Sequence, residues 1–271
     1  MFEISSVLQL ESGNPEAYRT AEGVYNLLPE ADRSPDYVEH YQRDALAFDY
    51  FVEPVDPATV HENARLHQEI LRRLPSTAQV VLDVGCGNGW VARELLPEKE
   101  AVISFDLSLH NTTETYRRNL KSNHFAVAGD VLHLPFRDGS VDAIVSSEVM
   151  EHVPDVPNYL SELIRVVRPG GTIVISTPYN ETIQYSLCIH CNRRTPLHAH
   201  LHSFNETLVA SLLAPFPDIK YETITLSNKA LLYLRTHKFL QVLPFSAWRM
   251  VDKLANRVVK KPSRLVIVVR K

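Results

Sequence analysis

The sequence predicts an α/β fold built on a doubly wound, seven-stranded, mostly parallel sheet. Two observations carry this. Short apolar runs alternate with helix-like stretches from residue 79 to residue 176, the rhythm of parallel strands joined by crossover helices. One run, Val80-Val81-Leu82, leads into Asp83 and then into glycines at alternate positions, Gly85, Gly87 and Gly89. That is a buried strand, a tight turn and a helix start.

At 271 residues the chain can bury a large core, and one elaborated domain is expected. The net charge of −4 implies no bulk attraction to nucleic acid. No run approaches the ~18–20 apolar residues of a membrane span. Met1-Phe2-Glu3-Ile4-Ser5 lacks a basic region before an apolar one, so no signal peptide is expected and the default is cytoplasmic. Three cysteines give no disulfide framework.

Residues 1–75 read as an N-terminal helical cap and 76–271 as the main domain. Tyr37, Tyr41 and Phe48 keep helical spacing, either as a core-facing helix or as a lid over a ligand. Thr59 is the expected cap of a helix reaching Leu74 before Pro75. Strand one spans about 79–84, and its helix Trp90 to Leu96. Strand two, Ala101 to Phe105, ends in Asp106, 17 residues beyond Gly89. A carboxylate there has two acceptor oxygens, suited to both hydroxyls of a ribose. A helix follows from His110 to Ser122, then strand three from His124 to Gly129. The fourth strand region ends in Ser146-Ser147. A helix over 157–167 and the turn Arg168-Pro169-Gly170-Gly171 precede strand five, Thr172 to Ser176. Asn205 to Leu213 is helical, Ile219 to Leu226 is strand six and Arg264 to Arg270 strand seven.

Glycine spacing separates this turn from a dinucleotide fingerprint, Gly-x-Gly-x-x-Gly. Asp83-x-Gly85-x-Gly87-x-Gly89 instead resembles motif I of the class I, Rossmann-like S-adenosylmethionine-dependent methyltransferases. Three later segments resemble the same family: Leu134-Pro135-Phe136-Arg137-Asp138 before the fourth strand, Glu148 to His152 after it, and the Pro169-Gly170-Gly171 turn. The likeness is close over about 78–180. It implies that S-adenosylmethionine is the cofactor, and that Asp83, Gly85, Cys86, Gly87, Gly89, Asp106, Leu107, Asp130, Val131 and Ser147 surround it. Within that set Asp106 takes the ribose and Asp130 with Val131 the adenine. The family joins its last two strands by a tight hairpin, whereas here residues 229–261 intervene.

Residues 178–203 form a Cys/His-rich loop. Four histidines lie within thirteen residues, beside Cys188 and Cys191. A Cys-x-x-Cys pair is half of a tetrahedral zinc site, and two histidines complete it. The expected ligands are Cys188, Cys191, His198 and His200, with His190 and His202 as alternates, and the site is structural. The other reading is a loop of reduced thiols and solvated imidazoles. His200 has a second role by resemblance, because His200-x-x-x-Phe204-Asn205 matches a family segment. The candidate bases are His152, His200 and Tyr179.

Residues 229–261 carry eight Lys or Arg and one acid, Asp252, among Leu, Phe, Trp248 and Met250. This basic helical insertion reads as a lid, as a peripheral membrane contact, or as a binder of an anionic acceptor or tRNA. Two functions are carried forward. One is methyl transfer from S-adenosylmethionine to a small-molecule or lipid-like acceptor. The other is a catalytically silent, zinc-stabilised protein that binds S-adenosylmethionine for interaction alone. Ser146-Ser147-Glu148-Val149 lacks the Asp/Asn-Pro-Pro-Tyr pattern of amino-methylating DNA enzymes, so nucleic acid is not the expected partner.

Overall fold

The computed structural model describes residues 2–10, 13–29, 36–52 and 54–271. Within the expected 1–75 cap, residues 1, 11–12, 30–35 and 53 lie outside the described residues.

The elements run β1 (Tyr25–Asn26), α1 (Asp36–Ala47), α2 (Pro57–Arg73), β2 (Val80–Val84), α3 (Trp90–Leu95), β3 (Ala101–Asp106), α4 (Leu109–Arg118) and β4 (His124–Ala128). After these come β5 (Val141–Ser147), α5 (Val156–Val166), β6 (Val167–Pro178), the hairpin of β7 (Tyr185–Leu187) with β8 (Arg194–Pro196), and α6 (Glu206–Leu213). The chain closes with β9 (Lys220–Asn228), α7 (Lys229–Tyr233), α8 (His237–Leu240), α9 (Phe245–Val258) and β10 (Pro262–Arg270).

Helix starts follow short polar side chains that satisfy amides left free in the first turn. Asp56, not Thr59, caps α2: its Oδ2 accepts from the Thr59 N–H at 3.1 Å, and Pro57 opens the helix. Ser108, Asp155 and Asn205 do the same for α4, α5 and α6. Helix α4 stops at Arg118, short of the expected Ser122. Strand β6 begins at Val167, five residues before expectation, because the Pro-Gly-Gly turn is folded into it. Gly170 takes φ +76°, and a Cβ on Gly171 would stand 2.7 Å from the Asp142 carbonyl oxygen. The β5–β6 register shifts there, between Val141 and Ala143.

The expected doubly wound, mostly parallel sheet is present. Among the described residues it has eight strands in the order β1-β4-β3-β2-β5-β6-β10-β9. The extra one is the two-residue edge strand β1, parallel to β4. β10 runs antiparallel between β6 and β9. Side chains alternate across the sheet. Leu82, Ile103, Ile144, Ile173 and Ile267 face one core with α5 and α6. Val81, Val102, Val145, Val174 and Val266 face the other with α2, α3 and Trp248 of α9.

Winding reverses after β4, so β2 has β3 on one side and β5 on the other. The loops leaving the carboxyl ends of β2 and β5 part there and open a crevice.

Candidate functional site

The crevice is a cavity of about 410 Å³. Its floor is the turn after β2. Gly85 (φ +76°) is forced by packing, since a Cβ would stand 2.2 Å from Val149 Cγ2. Gly87 (φ +46°) has no atom closer than 4.0 Å to such a Cβ, so bare backbone faces the open space. Four of the turn's amides, those of Gly85, Cys86, Gly87 and Gly89, are consumed internally. Gly85 and Cys86 both donate to the Phe105 carbonyl, at 2.7 and 3.0 Å, and Gly87 donates to Asp106 Oδ2 at 3.0 Å. The turn therefore offers chiefly close approach rather than a row of free donors, and side chains carry much of the polar recognition.

Those side chains are carboxylates at successive strand ends. Asp106 holds the Gly87 and Ser108 amides, one on each oxygen. Burial raises its pKa, and the backbone N–H groups of Ser108 and Gly87 oppose the rise. Each oxygen keeps a lone pair for a hydroxyl donor. Asp130 accepts the Leu132 amide at 2.9 Å and the hydroxyl of Tyr37 from α1. Asp83 is buried behind the floor, and its Oδ2 has no hydrogen-bond partner. Its pKa is pushed well up by burial and then by Asp106. That orphaned oxygen fits a ligand with a cationic or donor group.

Gly85, Cys86, Gly87, Asp106, Leu107, Asp130, Val131 and Ser147 all line the cavity. Gly89 lies behind it, where a Cβ would stand 2.7 Å from Thr115 Cγ2. The roof was only partly legible in the sequence. Tyr37 and Tyr41 of α1 line the cavity, whereas Phe48 lies past the end of α1 and is exposed. Gln42 of α1 spans the Leu107 carbonyl and the Leu109 amide, so it clips the roof to the β3 loop. Tyr50, from the same aromatic-rich stretch, also lines the cavity, and Asn63, His67 and Asn111 join it with no signal in the sequence to mark them. His67 stacks on Trp90 with ring centroids 3.8 Å apart, and burial then Arg93 lower its pKa to about 4.

At the β5 side the wall is Ser147, Glu148, Val149 and His152. Glu148 takes φ +57°, a conformation that costs a non-glycine residue energy and collects at functional sites. Its carboxylate accepts from Ser176 Oγ at 3.0 Å and pairs with Arg264 at 3.2 Å. His152 Nδ1 faces the Ala199 carbonyl at 3.3 Å. Burial, and then the His200 charge, lower the His152 pKa to about 4, so its imidazole is neutral at pH 7.

The four expected zinc ligands are not brought together. Cys188 and Cys191 sit at the tip of the β7–β8 hairpin, where the backbone N–H groups of Cys191 and His190 and the Cys191 thiol hold the Cys188 thiol below its usual range. His200 turns away from them to Glu181, with its ring centroid 4.9 Å from that of His152. His198 follows only as far as a 6.0 Å ring separation from His200. Of the alternates, His190 stays in the hairpin tip, and His202 Nε2 is taken by the Val153 carbonyl at 3.0 Å. The hairpin is a separate two-stranded sheet that pairs with itself, so proximity in sequence does not become convergence in space. Among the described residues, the His, Cys, Asp and Glu side chains that converge are Glu151, His152 and His200. Tyr179 is not a cavity residue; its hydroxyl donates to Glu206 at 2.9 Å.

Comparison with known proteins agrees with this architecture. A methyltransferase-domain family model matches residues 82–175. A probable S-adenosylmethionine-dependent methyltransferase of Mycolicibacterium smegmatis is 31% identical over 164 residues, 58% of this chain and 60% of that protein. Malonyl-(acyl-carrier protein) O-methyltransferase of Yersinia pestis is 32% identical over 136 residues, 50% of each protein. The chain thus spans 50–60% of the length of these two relatives. Among solved structures, an S-adenosylmethionine-dependent methyltransferase from Mesorhizobium loti shares the fold with a TM-score of 0.54 at 18% identity, over 78% of this chain and 100% of that one.

Proposed function

We propose that this chain, whose residues 82–175 match a methyltransferase-domain family model, belongs to the class I S-adenosylmethionine-dependent methyltransferases and transfers the methyl group to a small-molecule or lipid-like acceptor. The observation that carries it is the cavity at the β2/β5 divide, with Asp106 and Asp130 at its edge and the unpartnered Asp83 oxygen behind its floor.

The residues fit the cofactor. Asp106 is set to accept from ribose hydroxyls. Asp130 and Val131 stand where the adenine edge would lie, and the bare backbone at Gly87 lets the ligand lie close. The sulfonium supplies an already activated methyl group, so the protein's share is alignment and exclusion of water. Tyr37, Tyr41 and Tyr50 wall the cavity together with Leu66, Val149 and Val153, a largely apolar enclosure. An apolar enclosure suits an acceptor of low polarity, and the name of the Yersinia pestis relative points to an acyl carrier. We include in this reading a peripheral membrane contact through 229–261, where Phe239 and Val242 are exposed beside Lys238.

The test is isothermal titration with S-adenosylmethionine, followed by acceptor screening for release of the demethylated cofactor. Asp106→Ala should weaken cofactor binding by on the order of 1.5–3 kcal/mol, the range for hydrogen bonds to a charged group. An unchanged dissociation constant removes Asp106 from the site. Absence of binding by the intact chain overturns the function.

A further inference from the structure

We propose that Glu151, His152 and His200 bind one divalent metal ion at the acceptor end of the cavity. The carboxyl ends of β4, β3, β2 and β5 lie in that order across the sheet. Asp130 and Asp106 stand at one side, and His152 lines the cavity beyond β5, where the methyl group must meet its acceptor.

The ligand atoms of the three side chains all lie within 4.8 Å of one another. Ligands of one ion at about 2.1 Å stand roughly 3.0–3.4 Å apart, so closure asks for side-chain rotation and no backbone change. Each histidine already has the outer contact that metal-bound imidazoles use. His152 Nδ1 faces the Ala199 carbonyl, and His200 Nδ1 faces the Glu181 carboxylate. The Nε2 atoms are left to point at an ion, and His152 Nε2 is 4.0 Å from Glu151 Oε1. Glu151 is 1% exposed, and its Oε2 has no hydrogen-bond partner. A buried, unpaired carboxylate oxygen is costly; a cation removes that cost. Charge balance agrees. Glu148, Glu151 and Glu181 gather there against Arg264, which is engaged by Glu148 and Glu62.

Two imidazoles and one carboxylate suit ions such as Mn²⁺, Fe²⁺ or Zn²⁺. Three protein ligands leave positions open, the mark of a catalytic rather than a structural ion. The acceptor is then a hydroxyl compound, a consequence that rests on the methyl-transfer reading. The ion lowers the hydroxyl's pKa and its proton leaves to water. The oxygen forms the new C–O bond as the C–S bond breaks, and the electron pair stays on sulfur as a thioether. No oxidant or reductant enters.

The full chain, stripped with a chelator and desalted, is titrated with Mn²⁺ while the free ion is followed by electron paramagnetic resonance. S-adenosylmethionine affinity is measured calorimetrically on the same samples. One saturable Mn²⁺ per chain is expected. Glu151→Gln, His152→Gln and His200→Ala should each weaken it about tenfold or more, and the double variant Cys188→Ser, Cys191→Ser should leave it unchanged. Far-UV circular dichroism identifies any variant that fails to fold, and the remaining two then decide. No saturable binding, or equal binding by the folded variants, overturns the site. Mn²⁺ binding without S-adenosylmethionine binding supports the site and overturns the reading on which its acceptor class rests.

Discussion

Gly85 and Gly87 differ in what replaces the missing side chain. At Gly85 an alanine meets Val149 Cγ2 at 2.2 Å and must hold φ +76°. Overpacking and left-handed backbone together cost roughly 2–4 kcal/mol, so Gly85→Ala should lower the melting temperature clearly. Gly87→Ala pays only the backbone cost, about 1–2 kcal/mol, and puts a methyl group on the cavity floor, so its larger loss should be in cofactor affinity. Thermal unfolding and calorimetry of both variants check this, and a Gly85→Ala protein as stable as the parent contradicts it. These glycines were legible because the demand for positive φ is local. Glu151 enters the sequence reading only within the Glu148–His152 segment that resembles the family, with no ligand or catalytic role of its own. What marks it in the structure is burial and a missing partner, and no local pattern carries either.

Strands β3 and β4 are held by more than their ladder. His124, 2% exposed, is fixed between Ser104 Oγ on β3 and the Asn119 carbonyl, each at 2.9 Å. Burial pulls its pKa from 6.5 to about 4, only partly opposed by the Asn119 carbonyl. Between those values the unfolded chain takes up a proton that the folded chain refuses. The stabilisation is complete above pH 6.5 and is lost as pH falls toward 4. Urea unfolding of the parent and of His124→Gln should show a stability difference about 2 kcal/mol smaller at pH 5 than at pH 8. A difference independent of pH would mean that His124 titrates freely in the folded state. The strand was predictable from its apolar run, and His124 was read only as its first residue. The partner at position 104 lies twenty residues away and meets it only through the parallel pairing of β3 and β4.

Across the whole molecule, the insertion before β10 is docked rather than loose. Arg65 of α2 donates to the carbonyls of Leu240, Gln241 and Leu243, and its guanidinium lies 5.3 Å from the Trp248 ring. Trp248 is buried, so it is not available to a lipid surface. Tyr233, Phe239 and Val242 remain 88%, 77% and 79% exposed beside Arg235 and Lys238. No helix among the described residues is long and apolar enough to cross a membrane. Deleting 229–261 would open the core around Trp248, and surface substitutions are the cleaner probe. Phe239→Asp with Val242→Asp should reduce sedimentation with anionic vesicles by about tenfold or more, given ~1.5–3 kcal/mol for burying one large apolar side chain. Equal sedimentation by the variant, or none by the intact chain, ends the membrane reading.

The sequence by itself determined the strand and helix alternation, the glycine turn and the acids at the strand ends, because periodicity and backbone conformation are properties of neighbours. Tertiary structure decided which of those groups meet. It sent Cys188 and Cys191 out on a hairpin, brought His200 to Glu151 and His152, and laid Tyr37 on Asp130 across 93 positions of chain. Such contacts follow from how elements pack on the two faces of the sheet, and spacing along the chain carries no record of them.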